Sequence, residues 1–162
     1  MNVKKRGIID NITLEELIQQ IKNPSLVHKK FVDRARAIGK YSPEYDNIKQ
    51  LLPCFVPNYN HEDYVKTATI IKSTGFIYID VDYELDLDFS QFSFIAASWK
   101  SLSGVGSGLL IALDDSVSIG TDLKTMRAII NDISNTLDIK PDGNAISRDR
   151  LNAIAYDYDA YY

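Results

Sequence analysis

Gly75-Phe76-Ile77-Tyr78-Ile79-Asp80-Val81-Asp82 is the clearest strand in the chain. Strand side chains alternate between faces, so Ile77, Ile79 and Val81 share one side while Tyr78, Asp80 and Asp82 share the other. The β-branched residues set the register, because a slip of one position would turn both carboxylates into the core. An apolar face of this kind needs a second layer to cover it.

The flanking sequence offers that layer on both sides. Upstream, Thr13-Leu14-Glu15-Glu16 has capping-box spacing and opens a helix to about Ile21. Ser25 caps a second helix to about Ile38, stopped by Gly39. Ser42-Pro43-Glu44 starts a third, with Pro43 at the first helical position, ending near Pro53. Phe55 to Tyr59 reads as a short strand. Downstream, Gln91 to Trp99 and Gly108 to Leu113 read as strands joined by the turn Ser101-Leu102-Ser103-Gly104-Val105-Gly106-Ser107. Thr121 caps a long helix to about Leu137, Pro141-Asp142-Gly143-Asn144 is a turn, and Arg150 to Tyr156 reads as a final strand. Helices flanking a mainly antiparallel or mixed sheet predict an α+β fold.

At 162 residues the chain has the length of one domain, and it shows no internal repeat. It holds no apolar run of the roughly 20 residues that span a bilayer. Its single cysteine, Cys54, excludes an intrachain disulfide and a cysteine zinc cage, and is read as a small buried hydrophobe. A cytoplasmic setting and no membrane partner are expected. The net charge of −4 conceals an asymmetry. Residues 1–40 carry nine Lys/Arg against four Asp/Glu, and the remainder nine against eighteen. The helix with Lys29, Lys30, Arg34 and Arg36 holds much of the basic part. Such a layout suits a phosphate backbone held beside a carboxylate site, and equally two solvated faces.

Three features could carry chemistry. Asp80 and Asp82 lie two strand rises of about 3.3 Å apart on one face and can converge on a hard cation or bridge two. Their repulsion is costly without one; the alternative is a strand end running into the acidic loop of Glu84, Asp86 and Asp88. Ser101 to Gly108 offers amides and hydroxyls to phosphate oxygens, or is a plain hairpin loop; it is neither a P-loop nor a dinucleotide fingerprint. Arg148 and Arg150 could pair with a triphosphate or with surface acids. His28 and His61 have no partner at triad or ligand spacing, so nothing points to nucleophilic catalysis.

Together, from about Arg34 to Tyr161, these features resemble the VirE amino-terminal type domain, a branch of the archaeo-eukaryotic primase (primase-polymerase) superfamily. Ile48 to Pro57 is like that family's entry segment. Gly75 to Asp82 resembles its first motif, Ser101 to Gly106 its second, and Ser147-Arg148 through Asp157 its closing segment. Two positions depart from the pattern. Gly108 stands where a histidine or lysine is common, and the third metal-binding aspartate falls at Asp142, with Asp138 competing.

The resemblance implies one primase-polymerase domain over 1–162, with a basic helical part at 1–40 and an RRM-like catalytic core at 41–162, and a longer parent protein. It implies template-directed nucleotidyl transfer for a phage or mobile element in the bacterial host cytoplasm. Asp80, Asp82 and Asp142 would hold Mg²⁺ or Mn²⁺. Ser101, Ser103, Gly104, Gly106, Arg148 and Arg150 would bind the nucleoside triphosphate. Lys30, Arg34, Arg36, Lys40 and Lys49 would grip single-stranded DNA template, with a helicase as partner. The rival expectations are a catalytically degenerate nucleic-acid or nucleotide-binding module, a metal-dependent nuclease, and a plain interaction domain.

Overall fold

A computed structural model describes residues 10–114, 122–143 and 146–162. The amino-terminal helices form where the capping residues place them. Helix α1 (Leu14–Lys22) has a complete capping box between Thr13 and Glu16. Helix α2 (Leu26–Ile38) is capped by Ser25 and ends at Gly39, and α3 (Pro43–Leu51) is capped by Ser42. Strands β1 (Cys54–Phe55), β2 (Tyr59–His61), β3 (Ile70–Ser73), β4 (Phe76–Val81), β5 (Ile95–Lys100) and β6 (Ser107–Ala112) follow. Helix α4 (Leu123–Leu137) and strand β7 (Asn152–Ala153) complete the described elements. The fold is α+β, and every strand pairing among the described residues is antiparallel.

The central sheet has the order β4-β6-β5. Ile77, Ile79 and Val81 turn inward with Leu109 and Ile111 of β6, and all five are essentially inaccessible. Helix α4 covers this face through Met126, Ile130 and Leu137. Each such burial stabilises by roughly 1.5–3 kcal/mol, so this layer sets the register of β4. The opposite face packs Leu110, Ala97 and Trp99 against Leu17, Ile18 and Ile21 of α1 and against Phe55. Helices α2 and α3 form a third cluster, with Leu102 and Ala155 packed into it.

Several elements differ from the sequence reading, each for a local reason. The segment from Phe55 to Tyr59 splits into β1 and β2 around Pro57, which has no N–H for a ladder. Cys54 is exposed, because alternation on β1 gives the interior position to Phe55. Strand β3, pairing with β2, was not anticipated. The expected strand from Gln91 begins only at Ile95, since Asp88 caps a 3₁₀ turn over Phe89–Gln91. Helix α4 is capped by Asp122, whose carboxylate accepts from the amides of Lys124 and Thr125; the expected cap, Thr121, lies outside the described residues, as does Asn144 of the expected turn. The final strand shrinks to two residues, held by Cys54↔Ala153 and Phe55↔Asn152.

Candidate functional site

Alternation on β4 delivers Tyr78 and Asp80 to the face away from α4, and Asp82 follows just past the strand end. The free edge of β4 is then covered by other parts of the chain. The Tyr78 N–H donates to Asn58 Oδ1 at 2.8 Å, and the Asp142 N–H donates to the Asp80 carbonyl at 2.8 Å. That second bond brings Asp142 beside Asp80 from a segment sixty residues on. On the other side, β1–β7 pairing carries Arg150 and Asn152 over the same face. The junction after α2 adds Lys40, and α3 adds Tyr45 and Lys49. The result is a cleft of about 310 Å³ lined by these side chains, Asn58 excepted, together with Ser101.

Charges in the cleft are interlocked. Arg150 Nη2 lies 3.5 Å from Asp80 Oδ2, and Lys40 pairs with Asp82. Burial pushes the Asp80 carboxyl above its ordinary range; Arg150 and Lys40 oppose this, while Asp82 and Asp142 reinforce it. The Tyr45 phenol is pushed up to about 12, first by burial and then by Asp46, Asp80 and Asp82. Burial in a half-enclosed space is the first cause of both shifts, and the neighbouring carboxylates add to it.

Gly108 sits between Asp80 and Trp99 in the sheet register. A Cβ placed there would lie 2.4 Å from the Tyr78 hydroxyl oxygen and 2.8–2.9 Å from its ring carbons. Tyr78 is held between Phe55 (ring centroids 6.1 Å apart) and Trp99 (5.8 Å). Its ring therefore fills the space that a side chain at 108 would use, and forms part of the cleft floor.

The glycine turn is closed mainly on itself. The Ser101 N–H donates to the Gly106 carbonyl at 2.7 Å, and the Gly104 N–H to the Ser101 carbonyl at 2.9 Å. Ser101 Oγ and Ser103 Oγ lie 3.0 Å apart, and Ser103 Oγ also accepts from the Val105 N–H at 3.4 Å. Gly106 is required by close approach, since a Cβ there would stand 2.4 Å from the Val81 carbonyl oxygen. Of this turn only Ser101 and Leu102 line the cleft.

The basic residues of α2 separate into different environments. Lys30 is exposed, and Arg34 pairs with Glu44. Arg36 faces inward: Nη2 donates to the Tyr156 carbonyl at 2.7 Å and the Ser101 carbonyl at 3.4 Å, and its guanidinium lies 4.5 Å from the Tyr156 ring centroid. It braces the glycine turn. Arg148 lies outside the cleft, and its charge is felt at the Tyr59 phenol. Asp138 is the exposed, left-handed cap of α4, so Asp142 is the one of the two that reaches the cleft. The structure thus brings together Asp80, Asp82, Asp142, Ser101, Arg150, Lys40 and Lys49, and adds Tyr45, Tyr78 and Asn152. Tyr78 was visible in the strand pattern on the face of Asp80; nothing local marks Asn152. A larger cleft of about 600 Å³ beyond β5, lined by Trp99, Lys100, Asp157 and Tyr161 among others, contains none of the residues nominated from sequence.

No family model matches the chain, and no solved structure matches it. An uncharacterized protein of Acanthamoeba polyphaga mimivirus is 28% identical over 113 residues, covering 60% of this chain. The chain spans 17% of the length of that relative. Among the described residues no helix is long and apolar enough to cross a membrane.

Proposed function

We propose that the chain is a metal-dependent nucleotidyl-transfer domain of primase-polymerase type, acting on single-stranded DNA template in the replication of a phage or mobile element. The observation that carries this reading is the shared cleft. Three aspartates and three basic side chains, drawn from five separate stretches of sequence, line one space of about 310 Å³. An antiparallel sheet with a helix packed on one face is compatible with the RRM-like core of that superfamily. A helicase partner and the bacterial cytoplasm belong to the same proposal.

A divalent cation suits the donor set, with one qualification of chemistry. Among the described residues no group of three or more His, Cys, Asp or Glu is arranged as a ready cage. Mg²⁺ commonly takes one or two carboxylates and completes its shell with water and substrate phosphates, and Asp80 and Asp82 are such a pair. The raised pKa of Asp80 is a further argument, since a cation beside it would offset the burial, and the lesser repulsion from Asp82 and Asp142, that favour its protonated form. When bound, the ion supplies Lewis acidity to a phosphoryl oxygen and acidifies an attacking hydroxyl. Asp80 and Asp82 would hold it, with Asp142 alongside. Lys40 and Arg150, which pair with those carboxylates, would turn toward phosphate oxygens, and Lys49 would offer charge to a template backbone.

The second reading, a degenerate module that binds nucleotide without extending a primer, is favoured by Tyr78 filling the space over Gly108. A Mn²⁺-supplemented assay on single-stranded template, with labelled nucleotides, with and without primer, separates the two. Products from the parent that vanish in a folded Asp80→Ala/Asp82→Ala variant support transfer at this pair. Template binding without any product sinks it in favour of the binding module, and shortening of a labelled strand without nucleotide identifies a nuclease.

A further inference from the structure

The carboxy-terminal wall of the cleft carries an unmet demand for hydrogen-bond acceptors. Asn152 is only 7% exposed, yet its Nδ2 has no partner within the protein. Two residues away, Arg150 Nε is also buried without a partner. Both side chains line the cleft that holds Asp80 and Asp82. Leaving a buried donor unsatisfied costs about 1–3 kcal/mol, and native proteins retain few of them. Two at neighbouring positions on one wall call for a common acceptor.

The chemistry of the surroundings selects its type. Nδ2 and Nε can only donate, Lys40 and Lys49 add positive charge nearby, and a divalent cation held by Asp80 and Asp82 would offset the three aspartates of the same cleft. A nucleobase edge mixes donors with acceptors, whereas a phosphate offers oxygens alone. The Ser101–Gly106 turn is poorly placed to compete, because Ser101, Ser103, Gly104 and Val105 spend polar groups on one another. Position 108 contributes no side chain, and Tyr78 closes it.

We propose that Asn152, with Arg150 Nε, binds the polyphosphate of the incoming nucleotide, so that the wall at 150–152 supplies the contacts that position 108 lacks. This rests on the nucleotidyl-transfer reading for the identity of the ligand. Asn152 is a positioning and binding residue, and its signature is a split between stability and affinity. Removing its amide should weaken ligand without weakening the fold.

The test uses the whole chain and inorganic tripolyphosphate with Mg²⁺, followed by titration calorimetry, with a short single-stranded oligonucleotide as a parallel arm. Asn152→Leu keeps the branched outline and deletes the donor; Asn152→Ala guards against misfit of the larger group. The expected result is tripolyphosphate affinity reduced roughly tenfold or more in both variants, as for loss of a hydrogen bond to a charged group. Ligand-free melting temperature should be unchanged or higher in Asn152→Leu, and oligonucleotide binding should hardly change. Unaltered tripolyphosphate affinity overturns the assignment. So does loss confined to the oligonucleotide, which would make the acceptor a strand phosphate. A lowered melting temperature in both variants, in step with lost affinity, makes Asn152 structural and also overturns it. Primer extension by a parent whose Asn152→Leu variant binds tripolyphosphate normally leaves the transfer reading standing without this one. Binding through Asn152 by a parent that extends nothing does the reverse.

Discussion

Alanine at position 108 tests whether Tyr78 has closed the site at that point. In Gly108→Ala the new methyl would lie 2.4 Å from the Tyr78 hydroxyl oxygen, about 1 Å inside ordinary van der Waals contact. The phenol has little freedom to retreat, with Phe55 and Trp99 packed around the ring. Overpacking of this kind costs about 1–3 kcal/mol. Replacing glycine within a strand returns roughly 0.5–1 kcal/mol, so a net loss of about 1–2 kcal/mol is expected. For a domain of this size that lowers the melting temperature by about 2–8 °C. Urea unfolding of the parent, Gly108→Ala, Tyr78→Leu and the double variant closes a thermodynamic cycle. If the clash is the cause, Gly108→Ala is nearly neutral or stabilising once Tyr78→Leu has emptied the space, giving a coupling of about 1–2 kcal/mol. Additivity within about 0.5 kcal/mol refutes the reasoning and leaves position 108 open to a basic side chain.

Other outcomes follow from the same geometry. Asp80→Asn should stabilise the ligand-free protein at neutral pH while removing Mg²⁺-dependent activity. The folded-state pKa of Asp80 is raised, so its contribution is fully present below the ordinary carboxylate pKa and is lost as pH rises through the folded value. The advantage of the variant in melting temperature should therefore grow from about pH 4 upward; a constant difference across pH would remove burial of the charge as its cause. Asn58→Leu orphans the Tyr78 N–H and releases the Ser147 carbonyl, at a cost of about 1–3 kcal/mol. Amide exchange at Tyr78 should accelerate, and unchanged protection would show that the edge of β4 is covered by something else. Thr13→Ala breaks the capping box of α1 and should cost about 0.5–2 kcal/mol in thermal unfolding, with no effect on metal or nucleotide binding.

What could be read without coordinates was whatever depends on neighbours in sequence. A capping box marks α1, a serine cap and a glycine stop mark α2, and a serine cap followed by proline marks α3, because a helix end must satisfy its own free amides and carbonyls within a turn. The period of two on β4 separates Ile77, Ile79 and Val81 from Tyr78 and Asp80, because the pleat leaves no other choice. The period of two does not hold along β5. There an irregularity between Ile95 and Ala97 breaks the alternation, placing Ile95 with the α4 layer and Ala97 and Trp99 with the α1 layer. Such an extra residue is set by the partner strand and leaves no mark in composition.

Local patterning therefore sets the acidic strand and the helices before it. Which charged side chains meet follows from long-range packing. Asp142 joins Asp80 through one backbone hydrogen bond on the free edge of β4, and Asn152 arrives through a two-residue pairing with β1. Arg36 and Lys40 lie on and just after the same helix, yet one turns inward to hold a loop and the other lines the cleft. Helical phase and packing assign those roles, because a basic side chain goes wherever acceptors compensate its lost hydration. Position 108 shows the limit most sharply: a glycine reads as a missing contact until the Tyr78 ring is found in its place, and only long-range packing puts it there.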